Sequence, residues 1–157
     1  MRENHEILRA APLLNASGDL NEPGWASSPL PVYRRADSRA GKLRIKEWDY
    51  YLVTDGHIGL ALTISDNGYM GLDSVSFLDF DGKWEWTKSP MRLLPLGKTG
   101  LPESSAEGVS EIARGGYALA FYHEDGARRL SFHMENFLDG DMIEGVVTLT
   151  DAPKQSM

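Results

Sequence analysis

Five dipeptides, Asp55-Gly56, Asn67-Gly68, Asp81-Gly82, Asp125-Gly126 and Asp139-Gly140, punctuate the chain from Gly41 onward. Each lies between runs rich in apolar, aromatic or β-branched residues, and each supplies a glycine that tolerates positive φ, which is the pattern of β-hairpins. The runs between them predict strands over 42–54, 57–65, 71–80, 83–88, 109–114, 117–123, 128–134 and 142–150, mostly antiparallel. Successive side chains on a strand point to opposite faces. Trp84 and Trp86 therefore share a face, as do Leu119 and Phe121, then Leu130, Phe132 and Met134, then Ile143, Gly145, Val147 and Leu149. Half-apolar strands joined by tight turns must stack as two sheets or close into a barrel. The expected fold class is all-β, an antiparallel barrel or barrel-like sandwich of about eight strands, and eight strands suit a small ligand cavity.

The regions outside this rhythm are irregular. Residues 1–40 hold Pro12, Pro23, Pro29 and Pro31 and predict an N-terminal arm laid over a β domain spanning 41–157, anchored by Leu13, Leu14, Trp25 and Tyr33. Pro23-Gly24 sets a sharp turn before Trp25, which is expected to be buried. Leu93 to Gly108, with Pro95, Pro102 and three glycines, reads as a long crossing loop; a helix from Pro102 to Arg114 is weakened by Gly108 in its middle.

Composition excludes several classes of function. A chain of 157 residues is the size of one domain. No apolar run approaches the ~18 residues of a membrane span, and the start shows no signal-peptide pattern. With zero Cys there is no thiolate metal site, disulfide or Cys nucleophile, which suits a reducing compartment; a cytoplasmic location is expected. The net charge of −7 is concentrated late: residues 99–157 carry 4 basic and 10 acidic side chains. No basic cluster exists to displace counterions from a phosphate backbone, so nucleic acid is not an expected partner.

Motif chemistry is sparse. Gly97-Lys98-Thr99 resembles the end of a phosphate-binding loop, but the required upstream glycine position is Arg92. No dinucleotide fingerprint, zinc-protease helix or nucleophile elbow is present, and no cofactor is expected. Of the four histidines, 5, 57, 123 and 133, His123 and His133 flank the 125–126 turn but do not stand opposite each other, and no metal site is expected.

The densest constellation is Arg44-Ile45-Lys46-Glu47-Trp48-Asp49-Tyr50-Tyr51. One face carries Arg44, Lys46, Trp48 and Tyr50, the other Ile45, Glu47, Asp49 and Tyr51, and neither is a plain core. If the Trp48 face points inward, Lys46 and Tyr50 join an interior pocket; if outward, they are the solvated surface of an edge strand. A bulge near Glu47 would bring Ile45 and Trp48 both inward. Such a mixture of aromatics and charges suits a polar-lined cavity, and the Trp48 and Tyr50 face is expected to line one. Asp66, in Thr63-Ile64-Ser65-Asp66-Asn67-Gly68-Tyr69, is a candidate acid or base, but also an ordinary turn residue unless it is buried.

Leu13-Leu14, Gly18-Asp19-Leu20-Asn21, Pro23-Gly24-Trp25-Ala26, Pro29, Tyr33-Arg34, the stretch from Arg44 to Tyr51, Thr63 to Asp66 with Gly68-Tyr69, and Leu101-Pro102-Glu103-Ser104 together resemble the bacterial domain of unknown function 2804. The resemblance runs from about residue 11 to the end. It implies that the chain corresponds to the N-terminal half of longer members, whose second half is also β-rich, or is a short natural variant of them. It also implies a distant likeness to lipocalin-like carotenoid hydratase and cyclase proteins, and so a lipocalin-like barrel or sandwich. No catalytic residues are established for the family, so none is carried over.

The expected function is binding of a small, largely apolar ligand by Lys46, Trp48, Tyr50, Tyr69, Trp84 and Trp86. The alternative is half of an enzyme that protonates, hydrates or cyclises an unsaturated lipid, with Glu47, Asp49 or Asp66 as the acid. A third reading makes the chain a structural partner of a second β-rich domain, or of itself.

Overall fold

Large apolar side chains on alternate positions give each strand one face that must leave water, and here two such faces meet. The computed structural model describes residues 4–104, 106–124 and 126–150. In chain order, β1 (Ala11–Pro12) and β2 (Pro31–Val32) form a short parallel pair, followed by a single 3-10 turn at Arg35–Asp37. Then come β3 (Glu47–Thr54), β4 (Ile58–Asp66), β5 (Met70–Asp79), β6 (Trp84–Lys88) and β7 (Met91–Leu93). The chain ends with β8 (Gly108–Arg114), β9 (Tyr117–Glu124), β10 (Ala127–Leu138) and β11 (Asp141–Leu149).

The first sheet runs β3-β4-β5-β6, with β7 paired to the start of β5; the second runs β11-β10-β9-β8. All pairings in both are antiparallel. Among the described residues no strand pairing joins the two sheets, so the architecture is a barrel-like sandwich rather than a closed barrel. Leu62, Ile64 and Val75 of the first sheet pack against Leu119, Phe121, Leu130 and Met134 of the second, all essentially inaccessible to solvent. Burial of each such side chain stabilises the fold by about 1.5–3 kcal/mol.

The hairpins form where the dipeptides predict them, with one exchange of role. Gly56, Gly68, Gly126 and Gly140 have positive φ, but at Asp81-Gly82 it is Lys83 that takes the left-handed conformation, at φ 56°. Asp125 lies outside the described residues. Two strand boundaries differ from expectation. The strand predicted over 42–54 starts at Glu47, and β10 continues past residue 134 through a register shift into Leu138. That irregularity turns Phe137 into the core and exposes carbonyls that side chains of β6 cap: Trp86 Nε1 donates to the Phe137 carbonyl, and Lys88 Nζ to those of Glu135 and Asn136 at 2.7 and 2.8 Å. The short strand β7 was not predicted.

The arm corrects a second expectation. Trp25 is half exposed, and the residue that the arm buries is Ile7, held by backbone hydrogen bonds from Ile7 N to Trp25 O and from Trp25 N to His5 O.

A buried ionic network closes one end of the sandwich. Arg92 grips Asp73 through Nε at 2.6 Å and Nη2 at 3.0 Å, and Tyr117 of the second sheet donates to the same carboxylate at 2.9 Å. Arg92 also donates to Thr99 Oγ1 and to the Ser65 carbonyl, while Thr99 Oγ1 donates to Asp66 at 2.9 Å. The guanidinium can lie over β5 because Gly71 stands opposite Arg92; a Cβ there would sit 2.7 Å from Nη2. The Asp73 hydrogen bonds raise the Arg92 pKa further, while burial, followed by the bond to Asp73, pushes Tyr117 up to about 12. Removing one partner leaves an unpaired buried charge, a loss of roughly 3–5 kcal/mol. Asp73→Ala and Arg92→Ala should each lower stability by about that amount in urea unfolding, while Trp25→Ala should cost less than about 1 kcal/mol.

Candidate functional site

Strand register decides which face of β3 is interior. Tyr51 pairs with Leu62 and Asp49 with Ile64, so the Glu47, Asp49, Tyr51 and Val53 face turns toward the second sheet. The Trp48 and Tyr50 face, expected to line an interior pocket, points outward, with Trp48 62% and Tyr50 52% exposed. The reason is core volume: Tyr51 and Val53 continue the apolar surface of Leu60 and Leu62, whereas Tyr50 stands opposite Thr63 on the other side.

Lys46, Glu47, Trp48 and Asp49 nevertheless meet at one place. With Tyr33, Leu101, Pro102, Glu103 and Ser104 they line an open groove of about 310 Å³ at the edge of β3. Arg35 organises it. Its guanidinium pairs with Glu47, its backbone N–H donates to Glu103 at 2.9 Å, and the Tyr33 hydroxyl donates to the other Glu47 oxygen at 2.5 Å. Gly97, at φ 81°, allows the crossing loop to pass over that guanidinium, which a Cβ would strike. Both oxygens of Glu47 are thus engaged. Asp49 accepts from Ser110 of β8 at 2.7 Å through Oδ2.

The other sequence candidates are dispersed. Asp66 is buried. Burial alone would raise its pKa, but hydrogen bonds from the Gly68 and Gly97 backbones and from Thr99 outweigh that and hold it below the usual carboxylate value. It is at once the turn residue and a member of the ionic network. Tyr69 takes the Lys46 ammonium over its ring, 5.9 Å from the centroid. Trp84 donates to Asp79 at 3.0 Å and packs on Phe77, and Trp86 caps the β10 carbonyl. No group of three or more His, Cys, Asp or Glu among the described residues is arranged to hold a metal.

A larger space lies between the sheets at the end carrying the β3–β4 turn. Val53, Leu60 and Phe77 of the first sheet and Phe132, Ile143 and Val147 of the second line a cleft of about 440 Å³, with Thr54, Asp55, Ile58, Gly59 and Glu144 around it. The tip of the Phe132 ring reaches over Gly145, where a Cβ would come within 2.8 Å of it, so the glycine leaves the ring room to form a wall of the cleft. The alternation of Phe132, Ile143 and Val147 was readable in the sequence. The divergence of the two sheets, which opens space between those residues and β4, was not.

Between groove and cleft sits a polar pair. The Tyr51 hydroxyl bonds His123 Nε2 at 2.5 Å, Arg128 lies 5.8 Å from the Tyr51 ring centroid, and Tyr51 packs edge-on against Phe121. Burial, then the Asp49 charge, pushes Tyr51 up to about 12, and burial lowers the His123 pKa despite Asp49. Both partners of this hydrogen bond are therefore uncharged near neutral pH.

The family model described as "Domain of unknown function (DUF2804)" matches residues 4–157. No curated protein and no solved structure matches the chain.

A histidine whose folded-state pKa lies below its unfolded value of 6.5 contributes fully above that pH and loses its contribution as pH falls toward the folded value. The urea midpoint should fall as pH drops below 6.5, and His123→Gln should flatten that part of the profile. The Asp66 contribution is lost only below 3.8.

Proposed function

The chain belongs to the domain of unknown function 2804 family, and we propose that it binds a small, largely apolar ligand in the cleft between its two sheets. The observation that carries this reading is the cleft itself: about 440 Å³, walled by Val53, Leu60, Phe77, Phe132, Ile143 and Val147 and open to solvent at one end. Ligand sites are typically concave, mainly apolar and about 300–1,000 Å³. The polar residues around it are few, Thr54 and Asp55 at the turn and Glu144 of β11, which suits a molecule dominated by hydrocarbon.

A second reading, turnover of an unsaturated lipid, is favoured by the groove that brings Glu47 and Asp49 beside Trp48. Of the two carboxylates, Asp49 is the better candidate, since Arg35 and Tyr33 already occupy both oxygens of Glu47. A product mass for a bound ligand that Asp49→Asn abolishes, with binding intact, would establish this reading; an unchanged ligand mass would remove it.

Titration with a neutral hydrophobic fluorescent probe tests the cleft. Val147→Trp should fill it and weaken probe binding by at least about tenfold, equivalent to roughly 1.4 kcal/mol, while Trp48→Ala on the outer face leaves binding unchanged. No probe binding by the wild type, or equal binding by Val147→Trp, would refute the proposal.

A further inference from the structure

On the outward face of the first sheet the only charged side chain among the four main strands is Glu85 of β6, opposite Leu78. Its rows on β3, β4 and β5 hold only apolar, aromatic, hydroxyl and glycine side chains, in a protein that is 25% charged. The outward face of the second sheet is ordinary by comparison, with Glu111, Arg129, His133 and Glu144. The relief of this first-sheet face is also specific. Trp48, Tyr50 and Leu52 form a ridge along β3, each about half exposed or more. Beside it, the small residues Ala61, Thr63 and Ser65 of β4 form a lower row, directly opposite Leu52, Tyr50 and Trp48 in register, with Ala61 and Ser65 themselves buried. Leu72 and Leu78 of β5 form the far bank.

We propose that this face is the interface of a two-fold dimer with a second copy of the same chain. A tall row beside a low row on one face is self-complementary: under a two-fold axis, the Trp48, Tyr50 and Leu52 ridge of each copy lies over the low Ala61, Thr63 and Ser65 row of the other. Small residues along β4 let the sheets approach to the ~10 Å of ordinary face-to-face packing. Charge makes the same selection. Two copies at −7 each repel through most of their surfaces, and the β3, β4 and β5 rows of this face bring no like charges together. The area sets the size class of the interface. Three strands about 4.8 Å apart and about eight residues long cover roughly 400 Å², extended at one end by exposed Met91 and Leu93. Two copies bury on the order of 1,000 Å², at the lower limit for a specific interface. The dimer is therefore a reversible one.

The absence of cysteine permits a direct test. Sedimentation velocity from about 5 to about 500 µM should show a monomer becoming a dimer, an interval suited to interfaces of this size. A short bismaleimide, which spans the ~10 Å between facing sheets, should cross-link Thr63→Cys on the low row, and should not cross-link Ser131→Cys on the outward face of the second sheet. Tyr50→Lys should remain monomeric with an unchanged circular dichroism spectrum; if it unfolds, Ser74→Lys on the same face takes its place. A monomer at every concentration, a dimer that survives the lysine substitution, or equal cross-linking of the two cysteine variants would overturn the proposal. So would a monomer whose first-sheet face binds only neutral lipid vesicles.

Discussion

The bidentate contact between Arg92 and Asp73 is the constraint on which the rest of the architecture depends. It joins β7 to β5, takes a hydroxyl from Tyr117 of the opposite sheet and, through Thr99 and Asp66, fixes the loop that carries the chain from one sheet to the other. A buried pair of this kind is weak evidence for net stability, because desolvation offsets most of the attraction. Its effect is geometric: every polar atom of the cluster has a partner only when both sheets and the loop are in place. The sandwich is consequently shut at this end by ionic hydrogen bonds. At the opposite end no such cross-connection exists among the described residues, and the sheets are free to part around Phe132 and Leu60.

That asymmetry is what leaves an apolar cleft between the sheets without a closed barrel. Trp86 and Lys88 tie β6 to the irregular segment of β10, and Asp49 and Tyr51 tie β3 to Ser110 and His123. The two flanks are therefore held by polar contacts while the middle is filled by Leu62, Ile64, Phe121 and Leu130. Apolar wall remains only where β4 and β11 run out beyond this filled zone. Burial of Tyr51 and His123 between groove and cleft keeps both uncharged near neutrality, so the partition separating the two spaces adds no net charge beside apolar surface.

Hairpin signals and alternation were enough to locate the eight long strands, because Asp-Gly and Asn-Gly turns and period-two apolar patterns are local properties. The faces of Leu119, Phe121, Leu130, Phe132 and Met134 were legible for the same reason. The orientation of β3 was not, since both of its faces contain aromatics and charges and only pairing with Leu62 and Ile64 distinguishes them. Asp73 and Arg92 carried no local signal, being nineteen positions apart and joined solely by the β5–β7 register. Trp25 was misjudged because a large apolar side chain in an arm needs a surface to cover it, and Ile7 occupies that place. Of the candidate site residues, Lys46, Glu47, Trp48 and Asp49 were found together because they are adjacent in sequence. The cleft residues were dispersed over five strands and became a group only through the stacking of the sheets.

The central claim, that apolar ligand occupies the space between the sheets, is tested most directly by nuclear Overhauser contacts between a bound hydrophobic probe and labelled methyl groups. The account predicts contacts from the probe to the methyls of Val53, Leu60, Ile143 and Val147, and none to the Trp48 indole. Contacts confined to Trp48, Leu52 and Leu93, with the cleft methyls unperturbed, would contradict it.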